Sequence, residues 1–213
     1  MRMRNKKNAA ERIAACGDYL FGIDLIPQNM PVRLEIGCGK GGFICKSAET
    51  LPEVFFIGME KIPSVIVSAI EKANGLNLDN LKFITGDAKN LPDYFPGDFI
   101  DLIYLNFSDP WHKRYQHDRR LTSPFFLNIY KKILKKNSKI ILKTDNINLF
   151  DYSLKTMPEN NFNIKLKTYD LYKSEFYNAP KINPASKIQT EYEKKFLEKN
   201  IPVRYLEAEL IPN

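Results

Sequence analysis

The chain has 213 residues, 44% hydrophobic and 27% charged, with a formal net charge of +7. That is ample for one α/β domain with its own core and excludes a chain disordered throughout. No apolar run reaches the roughly 18 residues a membrane helix needs, and no apolar signal segment follows the basic start. The expectation is a cytoplasmic protein with no membrane partner.

In chain order, residues 1–20 read as a basic arm leading into a helix. Within 2–12, Arg2, Arg4, Lys6, Lys7 and Arg12 stand against Glu11 alone. Residues 21–213 then read as a single domain. Val32–Ile36 is a short apolar strand closed by a glycine-rich turn, and 43–50 a helix. A strand at 54–60 precedes a helix at 64–74 with Ser64 as its N-cap. A third strand is expected at 81–86. The nearly all-apolar 100–107 suits a central parallel strand covered on both faces. A helix at 123–136, a strand at 139–144 and a helix at 149–157 follow. Residues 162–169 alternate as a strand does, and 171–189 read as a long loop containing two prolines. A short charged helix at 191–199 and a strand at 203–210 complete the pattern. Alternating strands and helices imply an α/β, Rossmann-like, doubly wound and mostly parallel sheet. Helices cover both faces, and the last two strands form an antiparallel pair at the edge.

The cysteines (Cys16, Cys38, Cys45) are odd in number and form no Cys-x-x-Cys, and there are only two histidines, His112 and His117. Neither a disulfide framework nor a metal site is signalled. The positive balance points to a polyanionic partner, nucleic acid ahead of a membrane surface. Residues 113–120 carry Lys113, Arg114, Arg119 and Arg120 against Asp118, beside a turn expected at the active site, and read as an RNA contact. Residues 131–143 carry six lysines and no acid, which suits either RNA contact or a solvated helix face.

Leu34-Glu35-Ile36-Gly37-Cys38-Gly39-Lys40-Gly41-Gly42 follows a strand and opens a helix. Glycines there, Gly37 and Gly39 first, let the backbone approach a ligand. Gly37, Gly39 and Gly42 also fit the spacing of a dinucleotide turn. Glu35 favours another ligand. An ionised carboxylate in an apolar strand costs several kcal/mol, roughly, unless paired. At the strand's end it suits a cationic ligand such as S-adenosylmethionine and repels a pyrophosphate. Glu60 ends the second strand, where an acid accepts ribose hydroxyls. Asp87 follows the third strand, placed either to accept from an adenine amino group or to form an Asx turn.

After the fourth strand comes Asn106-Phe107-Ser108-Asp109-Pro110-Trp111-His112-Lys113. Pro110 restricts Asp109 to extended conformations and so fixes its carboxylate. Trp111 suits either core packing or a wall for a base. With these residues the chain resembles the bacterial tRNA (guanine-N7-)-methyltransferases over nearly its whole length. The resemblance rests on Arg2-x-Arg4, Leu34 to Gly41, Gly58-x-Glu60, Gly86-Asp87-Ala88, Asn106 to Trp111, Lys143-Thr144-Asp145 and Thr190-Glu191-Tyr192-Glu193. Tyr115 stands where the family usually has histidine, and Gln116 carries no charge.

The resemblance implies a class I methyltransferase fold, S-adenosyl-L-methionine as cofactor, and guanosine 46 of the tRNA variable loop as target. It implies donor binding by Glu35, Glu60, Asp87 and Asp109, with Asp109 also catalytic. It places Lys113, Asp145, Thr190, Glu191, Tyr192 and Glu193 on the substrate, and Tyr115, Gln116, His117, Asp118, Arg119 and Arg120 on RNA. A monomer and a homodimer are both compatible with it. Guanine N7 has a lone pair and no hydrogen, so its methylation needs no general base. Asp145 and Glu193 are the candidate acceptors for the guanine Watson–Crick edge, with Tyr192 stacking on the base. Thr190 to Glu193 also has the spacing of a capping box. Two other readings remain on the residues alone: an NAD-dependent oxidoreductase, from the same glycines and Glu60, and a non-catalytic RNA-binding module, from the charge.

Overall fold

The computed structural model describes residues 8–27, 29–178 and 182–212. The expected arm from Arg2 to Lys7 lies outside them, as does part of the 171–189 loop. Helix α1 (Ala9–Ala14) packs on α3, where Arg12 Nε donates to Glu71 at 2.8 Å.

The sheet is built from β1 (Val32–Ile36), β2 (Phe55–Glu60), β3 (Leu81–Thr85), β4 (Ile100–Asn106), β5 (Leu134–Thr144), β6 (Phe162–Thr168) and β7 (Arg204–Leu210). Its spatial order is β3-β2-β1-β4-β5-β7-β6. The first five strands pair in parallel, and β7 runs antiparallel between β5 and β6. Helices α2 (Gly42–Thr50), α3 (Pro63–Gly75), α4 (Leu91–Tyr94), α5 (Pro124–Tyr130), α6 (Ile147–Glu159) and α7 (Glu191–Glu198) complete the chain. The central strands are apolar on both sides because both are covered. Leu34, Ile57, Ile103 and Phe150 belong to one core cluster, and Phe43, Phe56, Tyr104 and Ile141 to the other.

Two expectations are corrected. The helix expected over 123–136 ends at Tyr130, and β5 begins at Leu134. Lysine-rich sequence tolerates a helix, but the Ile133 carbonyl accepts from the Phe99 and Ile100 amides, and Leu134 pairs with Ile100. Sheet pairing of these apolar residues overrides local propensity. The lysines are therefore not one solvated face. Lys135 binds Asp101 at 2.8 Å, Lys139 faces Glu207 at 3.4 Å, and Lys143 is buried. Second, α3 begins with Pro63 at its first turn and Ile62 at the N-cap, one residue before the expected start. Proline has no N–H to leave unsatisfied and its φ suits that position.

Candidate active site

The reversal of strand order between β1 and β4 opens a crevice at the strands' carboxyl ends, where open α/β sheets bind ligands. A cavity of about 780 Å³ occupies it, within the range of small-molecule sites. The glycine turn forms one wall. The Gly37 and Cys38 amides both donate to the Met59 carbonyl, at 2.8 and 3.0 Å, lashing the turn to β2. Gly41, at φ +74°, caps α2; a Cβ there would lie 2.6 Å from that of Ala69, so only glycine lets α2 meet α3. At Gly39, φ is +58° and a Cβ would meet nothing within 4 Å. Backbone conformation, not crowding, selects glycine there.

Glu35 lies at the cavity floor and is 2% exposed. Asn106 Nδ2, from the end of β4, donates to Oε1 at 2.9 Å. Glu35 Oε2 is buried with no hydrogen-bond partner among the described residues. Burial pushes the carboxyl up to about 8, against the opposing pull of Asn106 and the charge of Lys143. An acid so placed is neutral in the free protein near neutral pH and gains a partner only from a group entering the cavity.

Glu60 borders the same cavity from β2. Its Oε2 accepts from the Gly39 amide at 3.2 Å and its Oε1 from the Ile62 amide at 3.0 Å. Asp87 forms the Asx-type cap weighed above: Oδ1 accepts from the Lys89 amide at 3.1 Å. Its Oδ2 accepts from Lys61 at 2.7 Å. Burial raises its pKa, but the Lys61 and Lys89 contacts outweigh that and hold it below the usual carboxylate range. Capping and lining the cavity are compatible roles for this side chain.

The turn after β4 supplies the facing wall. Phe107 and Trp111 take positive φ, 51° and 42°, conformations unusual for bulky residues. Asp109 is exposed and lines the cavity with Ser108 and Trp111. The basic stretch continues as a 3-10 segment, Arg114–Arg119. Asp118 and Arg119 reach the cavity, and the Arg119 guanidinium sits 5.1 Å from the Trp111 ring centroid. Lys113, Tyr115, Gln116 and His117 lie outside the lining. Tyr115 is 76% exposed beneath Lys113, and His117 packs edge-on to Tyr152.

Two expected contact residues are placed elsewhere. Arg120, expected on RNA, is 4% exposed and directed into the protein. Glu193, expected on the guanine edge, is fully buried. Its carboxylate accepts from Lys143 Nζ at 3.0 and 3.2 Å, from Tyr172 Oη at 2.7 Å and from the Thr190 amide at 3.0 Å. Thr190 Oγ1 in turn accepts from the Glu193 amide, completing the capping box of α7. With three donors making four hydrogen bonds to it, this carboxylate has no capacity left for a ligand. Thr190, Glu191 and Tyr192, at the start of α7, do line the cavity. Asp145 is half-buried outside the lining, and its carbonyl accepts from Arg204 at 2.6 Å.

The structure thus gathers Glu35, Gly37, Gly39, Glu60, Asp87, Asp109, Asp118, Arg119, Thr190, Glu191 and Tyr192 around one space. Two participants carry no sequence-based role above. Asn106 partners Glu35, and a polar residue ending an apolar strand beside the glycine turn is its signal. Phe125, 53% exposed on α5, also borders the cavity. Its neighbour Phe126 lines the cavity too but is buried in the core, and periodicity alone does not tell the exposed ring from the buried one.

The fold and an acid-lined nucleoside-sized cavity define a class. Residues 29–206 match the family model described as "Putative methyltransferase". The 16S rRNA methyltransferase KamB has the same fold, with a TM-score of 0.65 over 89% of this chain and 92% of that one at 14% identity. The chain is a methyltransferase. It is 44% identical over 190 residues to the tRNA (guanine-N(7)-)-methyltransferase of Listeria monocytogenes, covering 89% of this chain and 85% of that protein. To the protein of that name from Mycoplasma genitalium it is 41% identical over 212 residues, 97% of each. The chain belongs to the tRNA (guanine-N(7)-)-methyltransferase family. That membership sets aside the oxidoreductase and the non-catalytic module.

Proposed function

We propose that this protein transfers a methyl group from S-adenosyl-L-methionine to N7 of guanosine 46 in the variable loop of tRNA, in the cytoplasm. The observation that carries the choice of donor is Glu35. A buried carboxylate oxygen without a partner among the described residues, facing a cavity, fits the ammonium of the donor and opposes the pyrophosphate of a dinucleotide. Glu60 stands where the ribose hydroxyls would be held, Asp87 on the adenine side, and Gly37 and Gly39 where the backbone must come close.

When bound, the donor supplies an electrophilic methyl group on sulfur. The residues of this chain orient and shield. Guanine N7 attacks through its own lone pair, so no side chain has to remove a proton; positioning and electrostatics remain. Asp109 sits at the mouth beside Ser108 and Trp111, where its charge stabilises a base that becomes cationic on methylation. Tyr192 and Trp111 offer aromatic faces to the base. The exposed basic stretch from Lys113 to Arg119 meets phosphates, which position RNA without reading it. With Glu193 consumed by Lys143 and Asp145 outside the cavity lining, Glu191 at the start of α7 is the better-placed acid to accept from the guanine edge.

The test incubates the protein with tritiated methyl donor and unmodified tRNA. Mild reduction and aniline treatment then cleave the RNA at 7-methylguanosine. Label with a single cut at position 46 is the expected outcome. Label without that cut, or no label, refutes the proposal.

A further inference from the structure

Arg119 and Arg120 are neighbours in one basic stretch, yet the fold sends them in opposite directions. Arg119 is exposed above Trp111. Arg120 is buried beneath the Asp-Pro-Trp turn. Its Nε donates to the Pro110 carbonyl at 2.8 Å and a terminal nitrogen to the Trp111 carbonyl at 3.4 Å. Its guanidinium carbon lies 4.4 Å from the ring centroid of Tyr152, on α6, a cation–π distance. Burial lowers the pKa of the guanidinium, but its ordinary value is so high that the charge persists.

The turn has need of such a strut. It holds Phe107 and Trp111 at positive φ, a conformation that persists only where the surroundings over-determine it. The carbonyls that Arg120 grips belong to the two residues following Asp109. A guanidinium fork reaching two successive carbonyls while its face rests on an aromatic ring fixes both position and plane. A lysine ammonium offers the charge without the fork or the flat face.

We propose that Arg120 is a positioning residue of the methyl-transfer reaction, not a phosphate contact: it holds the turn that carries Asp109 and Trp111, with Tyr152 as its platform. The consequence for activity rests on the function proposed above, whereas the consequence for the turn does not. Trp111 is the only tryptophan in the chain, so its fluorescence reports the turn with no substrate present.

The experiment compares Arg120→Lys, Tyr152→Leu and Arg119→Gln with the wild type in the full chain. It reads acrylamide quenching of Trp111, kcat and KM for tRNA, and the salt dependence of RNA binding. Arg120→Lys keeps the charge, so a phosphate contact would survive it. We expect increased quenching and a kcat lowered about 100-fold, the scale of a misplaced catalytic group. KM for tRNA and the salt slope stay at wild-type values. Arg119→Gln gives the opposite pattern: higher KM, little change in kcat, and a salt slope shallower by about one. Tyr152→Leu leaves the guanidinium in place but removes its platform, and shifts quenching and kcat in the direction of Arg120→Lys. It serves alone should Arg120→Lys fail to fold. Wild-type quenching with wild-type kcat in the folded variants overturns the proposal. Lost methylation activity in the wild type would refute the proposed function, while the quenching result would still decide whether Arg120 holds the turn.

Discussion

Glu193→Gln is expected to act on the fold before it acts on recognition. Glu193 and Lys143 are 0% and 1% exposed as side chains, and their closest approach is 3.0 Å. Glutamine preserves the shape and one acceptor, but it leaves the Lys143 ammonium buried without a counter-charge and turns an NH2 toward a donor-rich site. Removing one partner of a buried ion pair costs about 3–5 kcal/mol, because the survivor stays desolvated. Thr190→Ala removes only the capping hydroxyl and should cost about 1 kcal/mol. Urea unfolding followed by circular dichroism measures both. With a slope of about 2–3 kcal/mol per molar, the Glu193→Gln midpoint falls by about 1–2 M. The double variant Lys143→Met/Glu193→Leu should recover much of that loss, since it leaves no unpaired charge. A Glu193→Gln protein with the wild-type midpoint and a raised KM for tRNA would refute the structural assignment and restore this carboxylate to the substrate.

Three further outcomes test the cavity itself. Asp109→Ala should abolish methyl transfer with an unfolding midpoint near wild type, since the side chain is exposed; normal turnover removes Asp109 from the reaction. Glu60→Ala should weaken donor binding by a few kcal/mol, roughly, through lost charge-assisted hydrogen bonds, and calorimetric titration showing unchanged affinity removes it from the ribose site. Affinity for S-adenosylhomocysteine should rise about tenfold per pH unit below about 8 and level off above, because binding there requires Glu35 to lose its proton. Glu35→Gln should flatten that profile, and a wild-type profile already flat from pH 6 to 8 contradicts the assignment.

The parallel half of the sheet is legible in the sequence because it has one signal repeated: short apolar runs ended by glycine or an acid. Val32–Ile36 stands at its expected bounds, and β2 and β4 differ from theirs by a residue at one end. The 131–136 region is not legible. Its lysines favour a helix locally, and only the pairing of Leu134 with Ile100 makes it a strand. The acids of the site follow the same division. Glu35, Glu60 and Asp87 each sit at a strand's carboxyl end, a position that topology converts directly into a place at the crevice. Arg120 and Glu193 belong to motifs that resemble binding segments. Whether such a residue points outward depends on one step of backbone rotation, so Arg119 and Tyr192 face solvent while the residues that follow them, Arg120 and Glu193, do not.

Glu35 and Glu193 are both buried acids near Lys143, but their hydrogen-bond partners differ. Lys143 donates directly to Glu193, which also receives a tyrosine hydroxyl and a backbone amide. The remaining pull of Lys143 on Glu35 does not offset the cost of burial. Glu35 retains one amide donor and the desolvation penalty, so its carboxyl stays protonated up to about 8. Two linked effects of opposite sign follow. The unfolded carboxyl titrates at its ordinary 4.5, so between about 4.5 and 8 the folded protein holds a proton that the unfolded chain has released. This contribution to stability is complete below that window and is lost as the pH rises through it. A cationic ligand in the cavity needs the ionised form, so its binding strengthens over the same window. Replacing the missing solvation of Glu35 with a ligand's ammonium therefore couples donor binding to proton release, and the protein is held least tightly by this residue at the pH where it binds best.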